Sequence, residues 1–321
     1  MKLRTILKSG LYCSLGMSLW IATAQADTTM RVREGSMSCN RECLNGFVDS
    51  YLDAMVAGDP ARLPLTKDVR MTENTVLLNL GDGLWSTATA VGTNKHYFAD
   101  VYAQQAGYVG VVFESDGPKM LALRLRIKNM QIREIEMVTA RPGSSDPMGN
   151  NLENWAPHSL WGRVLTPQEQ LPRHEMVQAA NQYFEAIEQD QRGLVEWADD
   201  CTFMNAREAN GSGSNTPDPD APAPPPEFAT MGCDAMFGNG TMGSLSIPER
   251  SFWVVDEEMG AVLGAFIFSS DTPAGLAMGG VIQSQINSGI IAEAFKIIDG
   301  KIHRLDAVTG LTYAYGTRTG W

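Results

Sequence analysis

Tyr51, Tyr183, Glu136, Asp306, Arg250 and His96 are side chains whose types and positions in this sequence could do chemistry. A phenol held in an apolar setting can donate a hydrogen bond to an oxygen that gains charge in a reaction. A carboxyl between apolar neighbours rises in pKa and can serve as general acid or base. Glu136 and Asp306 sit in such surroundings, in IREIEMV and KIHRLDAV. Arg250 and Trp253, in PERSFWVVDEE (248–258), suit an aromatic, anionic ligand. In NKHYFAD (94–100), a helical turn would set His96 and Asp100 four apart on one face, at a pocket mouth. Each residue also has a plain structural explanation: a core tyrosine, a packed tryptophan edge, an Arg304–Asp306 surface pair, a solvated turn.

His303 is a further candidate. Strand alternation puts Ile302, Arg304, Asp306 and Val308 on one face, and Lys301, His303, Leu305 and Ala307 on the other. That pattern excludes a simple His303–Asp306 dyad. The chain has four histidines, His96, His158, His174 and His303. Neither GxSxG, HExxH, a phosphate-binding GxxxxGK[ST] nor an EF-hand loop occurs. No metal site and no cofactor are therefore expected.

The elements that must position these residues occur twice. A shift of 132 carries Tyr51-Leu-Asp-Ala54 onto Tyr183-Phe-Glu-Ala186, Leu63 onto Val195, and Asp68 onto Asp200 without a gap. A shift of 170 carries Ile132, Ile135, Glu136 and Val138 onto Ile302, Leu305, Asp306 and Val308. The difference is 38 residues of extra chain in the second copy. Residues 206–232 are Pro-, Gly-, Asp- and Ser-rich, and residues 270–288 are Gly- and Ser-rich.

Each copy opens with a core-facing helix stripe. In copy one it is Leu44, Phe47, Val48, Tyr51 and Met55; in copy two it is Met176, Ala179, Ala180, Tyr183 and Ile187. A short second helix is expected before Asp68 and Asp200. Strands follow at 69–72, 108–114, 120–127 and 131–138, then at 201–205, 251–255, 261–269, 290–298 and 301–308. Helices followed by a run of antiparallel strands give an α+β class. The expected domains are 38–140 and 174–321, with an insertion at 206–232 and a Pro- and Gly-bearing linker at 141–173.

The start reads as a secretory signal over residues 1–26: Lys2, Arg4 and Lys8, an apolar run at 11–22, then Ala24-Gln25-Ala26. That run is too short to span a bilayer. Cleavage would leave 22 basic against 37 acidic residues, a net charge of −15. An acidic surface argues against nucleic acid and anionic lipid as partners. A periplasmic or secreted protein is expected.

Four cysteines remain after residue 26: Cys39, Cys43, Cys201 and Cys233. Three pairings exist, and export favours disulfides over a zinc site. Cys39–Cys43 and Cys201–Cys233 are favoured because each pair lies within one expected domain.

The Tyr-x-x-Ala helix, GDPARLPLTKDVRMTEN (58–74) and DGKIHRLDAV (299–308) resemble the nuclear-transport-factor-two-like group, which includes SnoaL-like cyclases and ketosteroid isomerase. The likeness covers residues 40–140 and 174–310. The segment 231–268 is also similar to an uncharacterised tandem family of secreted proteins. The resemblance implies two tandem cone-shaped units, each with N-terminal helices packed in a bent antiparallel β-sheet. It also implies a role for a helix tyrosine as oxyanion donor, as in ketosteroid isomerase. This fold hosts many chemistries.

Together these features point to an exported, cofactor-independent isomerase, dehydratase, cyclase or lyase. It would move a proton on a small apolar or aromatic molecule. Asp306 would carry the proton, Tyr183 would steady the oxyanion and Arg250 would anchor the substrate, with His303 as a further catalytic candidate. Trp253, Tyr51, His96 and Glu136 are the expected binding residues. The alternative is a non-catalytic ligand-binding or assembly module, and a homo-oligomer stays open.

Overall fold

The computed structural model describes residues 38–141, 152–205, 233, 234, 237, 245–270 and 288–310. The expected signal (1–26), the insertion (206–232) and residues 271–287 lie outside the described residues.

Helix α1 (Arg41–Val56) starts at Asn40, whose side chain accepts from the Cys43 N–H at 2.9 Å. It buries Leu44, Phe47, Val48, Tyr51 and Met55, the stripe read from the sequence. A 3₁₀ turn (Pro60–Arg62) leads to β1 (Leu65–Glu73), β2 (Val76–Leu78) and a one-turn helix α2 (Leu84–Thr87). Strands β3 (Ala90–Asp100), β4 (Gln105–Glu114), β5 (Gly117–Lys128) and β6 (Gln131–Ala140) complete a six-stranded sheet, ordered β2-β1-β6-β5-β4-β3.

Helix α3 (Arg173–Gln189) buries Met176, Ala180, Tyr183, Phe184 and Ile187. After a 3₁₀ turn (Arg192–Leu194) come β7 (Trp197–Asn205), β8 (Leu245–Asp256), β9 (Ala261–Ser270), β10 (Ser288–Ile298) and β11 (Lys301–Gly310). They form a five-stranded sheet ordered β7-β11-β10-β9-β8. Without β2, the two orders match strand for strand.

The α+β class holds, with four corrections. Both sheets are mixed, because the last strand of each inserts beside the first and runs parallel to it: β6 along β1, and β11 along β7. The expected short second helix is only a 3₁₀ turn, since Leu65 and Trp197 already begin strands. Residues 94–100 are the end of β3, not a helical turn; β4 on one side supplies a ladder of partners, His96 opposite Val109. Strict alternation also fails on β11. Lys296 pairs with Arg304 but Ile297 with Ile302, so His303 is an extra residue, a β-bulge. The bulge turns Ile302 to the α3 side with Leu305, while Arg304 and Asp306 face away. The same bulge occurs at Arg133 on β6.

Three apolar layers result. One lies between α1 and the first sheet, and one between α3 and the second. The third joins the two sheets: Phe98, Val109, Val111, Ala122 and Val138 meet Trp253, Val254, Leu263, Ala292 and Val308. The linker contributes Leu152, Trp155 and Trp161 to that layer. Both expected disulfides are present, Cys39–Cys43 and Cys201–Cys233. Among the described residues no helix is long and apolar enough to cross a membrane.

Candidate functional site

Tyr183 lies at the centre of α3 and is fully buried. Its hydroxyl donates to Glu293 Oε1 at 3.4 Å. Glu293 is on β10, where Ile291, Phe295 and Ile297 share its face and form part of the α3 core. Phe184 and Phe295 close edge-on around the tyrosine ring, with centroids 5.1 and 5.4 Å away. Glu293 is 3% exposed, and among the described residues its Oε2 has no hydrogen-bond partner. Burial pushes its pKa from 4.5 up to about 8, and the Tyr183 hydroxyl only partly offsets this. The carboxyl is therefore mostly protonated at neutral pH. Burial, with the Glu293 charge and hydrogen bond second, lifts the Tyr183 phenol well above its usual range. The result is a neutral acid and a neutral phenol side by side in an apolar interior.

The first half differs at this place. The 170 shift sets Leu123 where Glu293 stands. Tyr51, the counterpart of Tyr183, accepts from Trp85 Nε1 at 2.7 Å and lies 3.3 Å from Met137 Sδ. Its phenol is also pushed up by burial. The Glu73 charge adds to that rise from the first half's own set of residues.

The expected trio of Tyr183, Arg250 and Asp306 is not brought together. Asp306 pairs with Ala294 on β10, a residue of the layer between the sheets, so β11 turns it away from α3. It accepts from Trp161 Nε1 and from Arg304 Nε, both at 2.6 Å. Burial raises its pKa against those two donors and against the Arg304 charge. Arg250 lies on the α3 side, but Asn181 (2.8 Å), Glu185 (2.7 Å) and Glu188 (2.7 Å) engage its guanidinium at the helix surface. Its guanidinium also sits 5.6 Å over the Phe184 ring.

The remaining candidates are placed as follows. His303, on its bulge, meets Asp200 at 3.1 Å at the surface. Arg133 meets Asp68 at the matching place in the first half, at 3.6 Å, so this is a repeated surface pair. Trp253 is buried between the sheets. His96 also faces that layer, its ring 4.6 Å from Trp161 and 4.1 Å from Phe98. Burial, and secondly the charge of Lys296, push its pKa down to about 3, which keeps it neutral. Glu136, likewise buried, bonds Arg124 at 3.2 Å. Asp100 is 1% exposed rather than at a pocket mouth.

A groove of about 890 Å³ lies elsewhere, lined by Asn40, Arg41, Asn45, Asp49, Tyr97 and Glu258 among others. Neither Tyr183 nor Glu293 lines it. Among the described residues no cluster of three His, Cys, Asp or Glu could hold a metal ion.

Glu293 was not among the residues read from the sequence. Its signal was there: in GIIAEAFKII (289–298), period-two alternation makes it the lone acid among Ile291, Phe295 and Ile297.

Residues 169–309, from just before α3 into β11, are similar to a domain of unknown function, DUF8021. No curated protein matches the chain.

Proposed function

We propose that the second half is a site for a small, apolar or aromatic molecule, and that Glu293 and Tyr183 move a proton next to a carbonyl or hydroxyl of that molecule. The observation that carries this is the Glu293 carboxyl, buried beside Tyr183 with its Oε2 unpartnered among the described residues, where the 170 shift sets Leu123 in the first half. A buried acid costs stability, and in a purely structural core an aliphatic side chain fills the same place, as Leu123 does. With its pKa near 8, Glu293 is a proton donor at neutral pH and a base once the proton has left. Tyr183 steadies the oxygen that gains charge. The class is that of an exported, cofactor-independent isomerase, dehydratase, cyclase or lyase.

The architecture in this proposal is a pair of cone-shaped, SnoaL-like units in tandem. The equal strand orders and the equal bulges at Arg133 and His303 support it. The first unit, with Leu123 against Tyr51, would be structural.

The test has two steps. Small molecules are extracted from the purified full-length protein and from Glu293→Gln, then identified by untargeted mass spectrometry. The molecule found is returned to each protein in D₂O. Wild type should introduce deuterium beside the carbonyl or hydroxyl carbon, and Glu293→Gln should do so about 10²–10⁴-fold more slowly. A bound molecule that wild type leaves free of deuterium and chemically unchanged would make this a binding module instead.

A further inference from the structure

The contacts between the two sheets repeat in both directions. β3 ends at Asp100 and β8 at Asp256, and both carboxylates are buried. Asp100 Oδ2 accepts from the Val255 N–H at 3.1 Å, and Asp256 Oδ2 accepts from the Ala99 N–H at 2.9 Å. Each also holds its own turn: Ala103 N–H donates to Asp100 Oδ1 at 2.8 Å, and Met259 N–H to Asp256 Oδ1 at 3.1 Å. Each takes the arginine that opens the other half's helix. Arg173 Nη1 meets Asp100 Oδ2 at 2.6 Å. Arg41 meets Asp256 with two bonds, at 2.5 and 2.8 Å.

The residues correspond by fixed shifts. A shift of 156 carries Ala99, Asp100, Tyr102 and Ala103 onto Val255, Asp256, Glu258 and Met259, and the shift of 132 carries Arg41 onto Arg173. Even the outer neighbours correspond: Arg173 lies 5.8 Å over the Tyr102 ring, and Arg41 bonds Glu258 at 2.8 Å. Contacts in which one residue meets a second, and their counterparts meet in reverse, are those of a two-fold axis between like surfaces. Two unrelated faces have no reason to repeat an arginine–aspartate pair, a backbone bond and a turn in both directions.

We infer that the face joining the sheets is a self-pairing surface, fitted to a second copy of the same half, and that this chain supplies the copy in cis. In a pair of two second halves, Arg173 of each would meet Asp256 of the other, so one aspartate position would serve both contacts. In the natural pair Asp100 serves one and Asp256 the other. The apolar layer is compatible: Trp253, Val254, Leu263 and Ile267 are the second sheet's share of it. The inference stands whether or not Glu293 and Tyr183 turn over a substrate.

The test starts from the whole folded chain with a protease site inserted between residues 145 and 146. It is cut after folding and followed by native mass spectrometry at micromolar concentration. The two fragments should stay together one to one. The cut protein is then unfolded in urea with its disulfides intact and refolded by dilution, and recovery of the one-to-one pair shows that folding succeeded. Pairs of two second fragments should appear beside it. Asp256→Arg breaks both contacts of the second–second pair but one of two in the natural pair, and each broken contact should weaken a pair about a hundredfold. It should therefore remove second–second pairs and spare one-to-one pairs, whereas Asp100→Arg should leave second–second pairs intact. Prolonged exchange of cut, never-denatured protein should give the same populations without a refolding step. One-to-one pairs with no second–second pair in any sample would overturn the inference. So would second–second pairs that survive Asp256→Arg, or a cut chain that falls into separate fragments.

Discussion

Replacing Glu293 by leucine, the residue at the matching place in the first half, should change how stability depends on pH. Glu293 titrates at about 8 in the folded protein and near 4.5 when solvated. Below pH 4.5 it is protonated in both states and adds no pH dependence. Between 4.5 and 8 the unfolded chain has released a proton that the folded protein keeps, so unfolding is favoured increasingly as pH rises. The slope is up to about 1.4 kcal/mol per pH unit, and the whole window amounts to roughly 5 kcal/mol. The residue is 3% exposed, so solvent screening removes little of this. The loss is large against the usual 5–15 kcal/mol of a domain, by rough convention. His96 works in the opposite sense. With its pKa pushed to about 3 from 6.5, it costs stability as pH falls below 6.5, which masks part of the Glu293 effect in wild type. It is present in both proteins, so it cancels in the difference. Urea unfolding followed by tryptophan fluorescence, with disulfides intact, should show Glu293→Leu gaining roughly 5 kcal/mol on wild type between pH 4.5 and 8. Curves that stay parallel across this window would mean that the carboxyl is not held neutral, and the reasoning about the site would fail with it.

Arg41→Met should cost about 3–5 kcal/mol in the same assay, because it leaves the 0% exposed Asp256 without its bidentate partner. Trp161→Phe keeps the ring but removes the 2.6 Å bond to Asp306, and should cost about 1.5–3 kcal/mol, the usual range for a bond to a charged group. Gly260→Ala should be among the worst single methyl additions: the backbone there has φ +58°, and the new Cβ would stand 2.4 Å from the Ile297 carbonyl oxygen, so a loss of several degrees in Tm and poor soluble yield are expected. Cys201→Ser with Cys233→Ser opens a loop of 32 residues and should cost about 3–4 kcal/mol by the chain-entropy model, read as a urea midpoint shift.

The sequence by itself determined the α1 and α3 stripes, the positions of most strands and the sequence matches at shifts of 132 and 170, and it favoured the two disulfide pairings that the structure holds. These depend on local periodicity and on spacing along the chain, which a single sequence records directly. It did not determine which face of a strand meets which layer once a bulge intervenes. One extra residue at His303 turned Ile302 toward α3, a step that alternation cannot foresee. Nor did it reveal that the far side of each sheet is buried as well. Asp306 reads as a site residue for its apolar neighbours in the chain, His96 for its spacing from Asp100, and Trp253 for its place beside Arg250, and none of these local patterns shows what covers the strand. The opposite sheet and the linker's Trp161 cover that far side. Only tertiary structure decided this, since the covering residues lie far away in the chain, Trp161 being 145 positions from Asp306. Glu293 shows the converse. Its place among apolar neighbours was legible as a pattern, but its pairing with Tyr183, 110 residues earlier, exists only because α3 lies across β10.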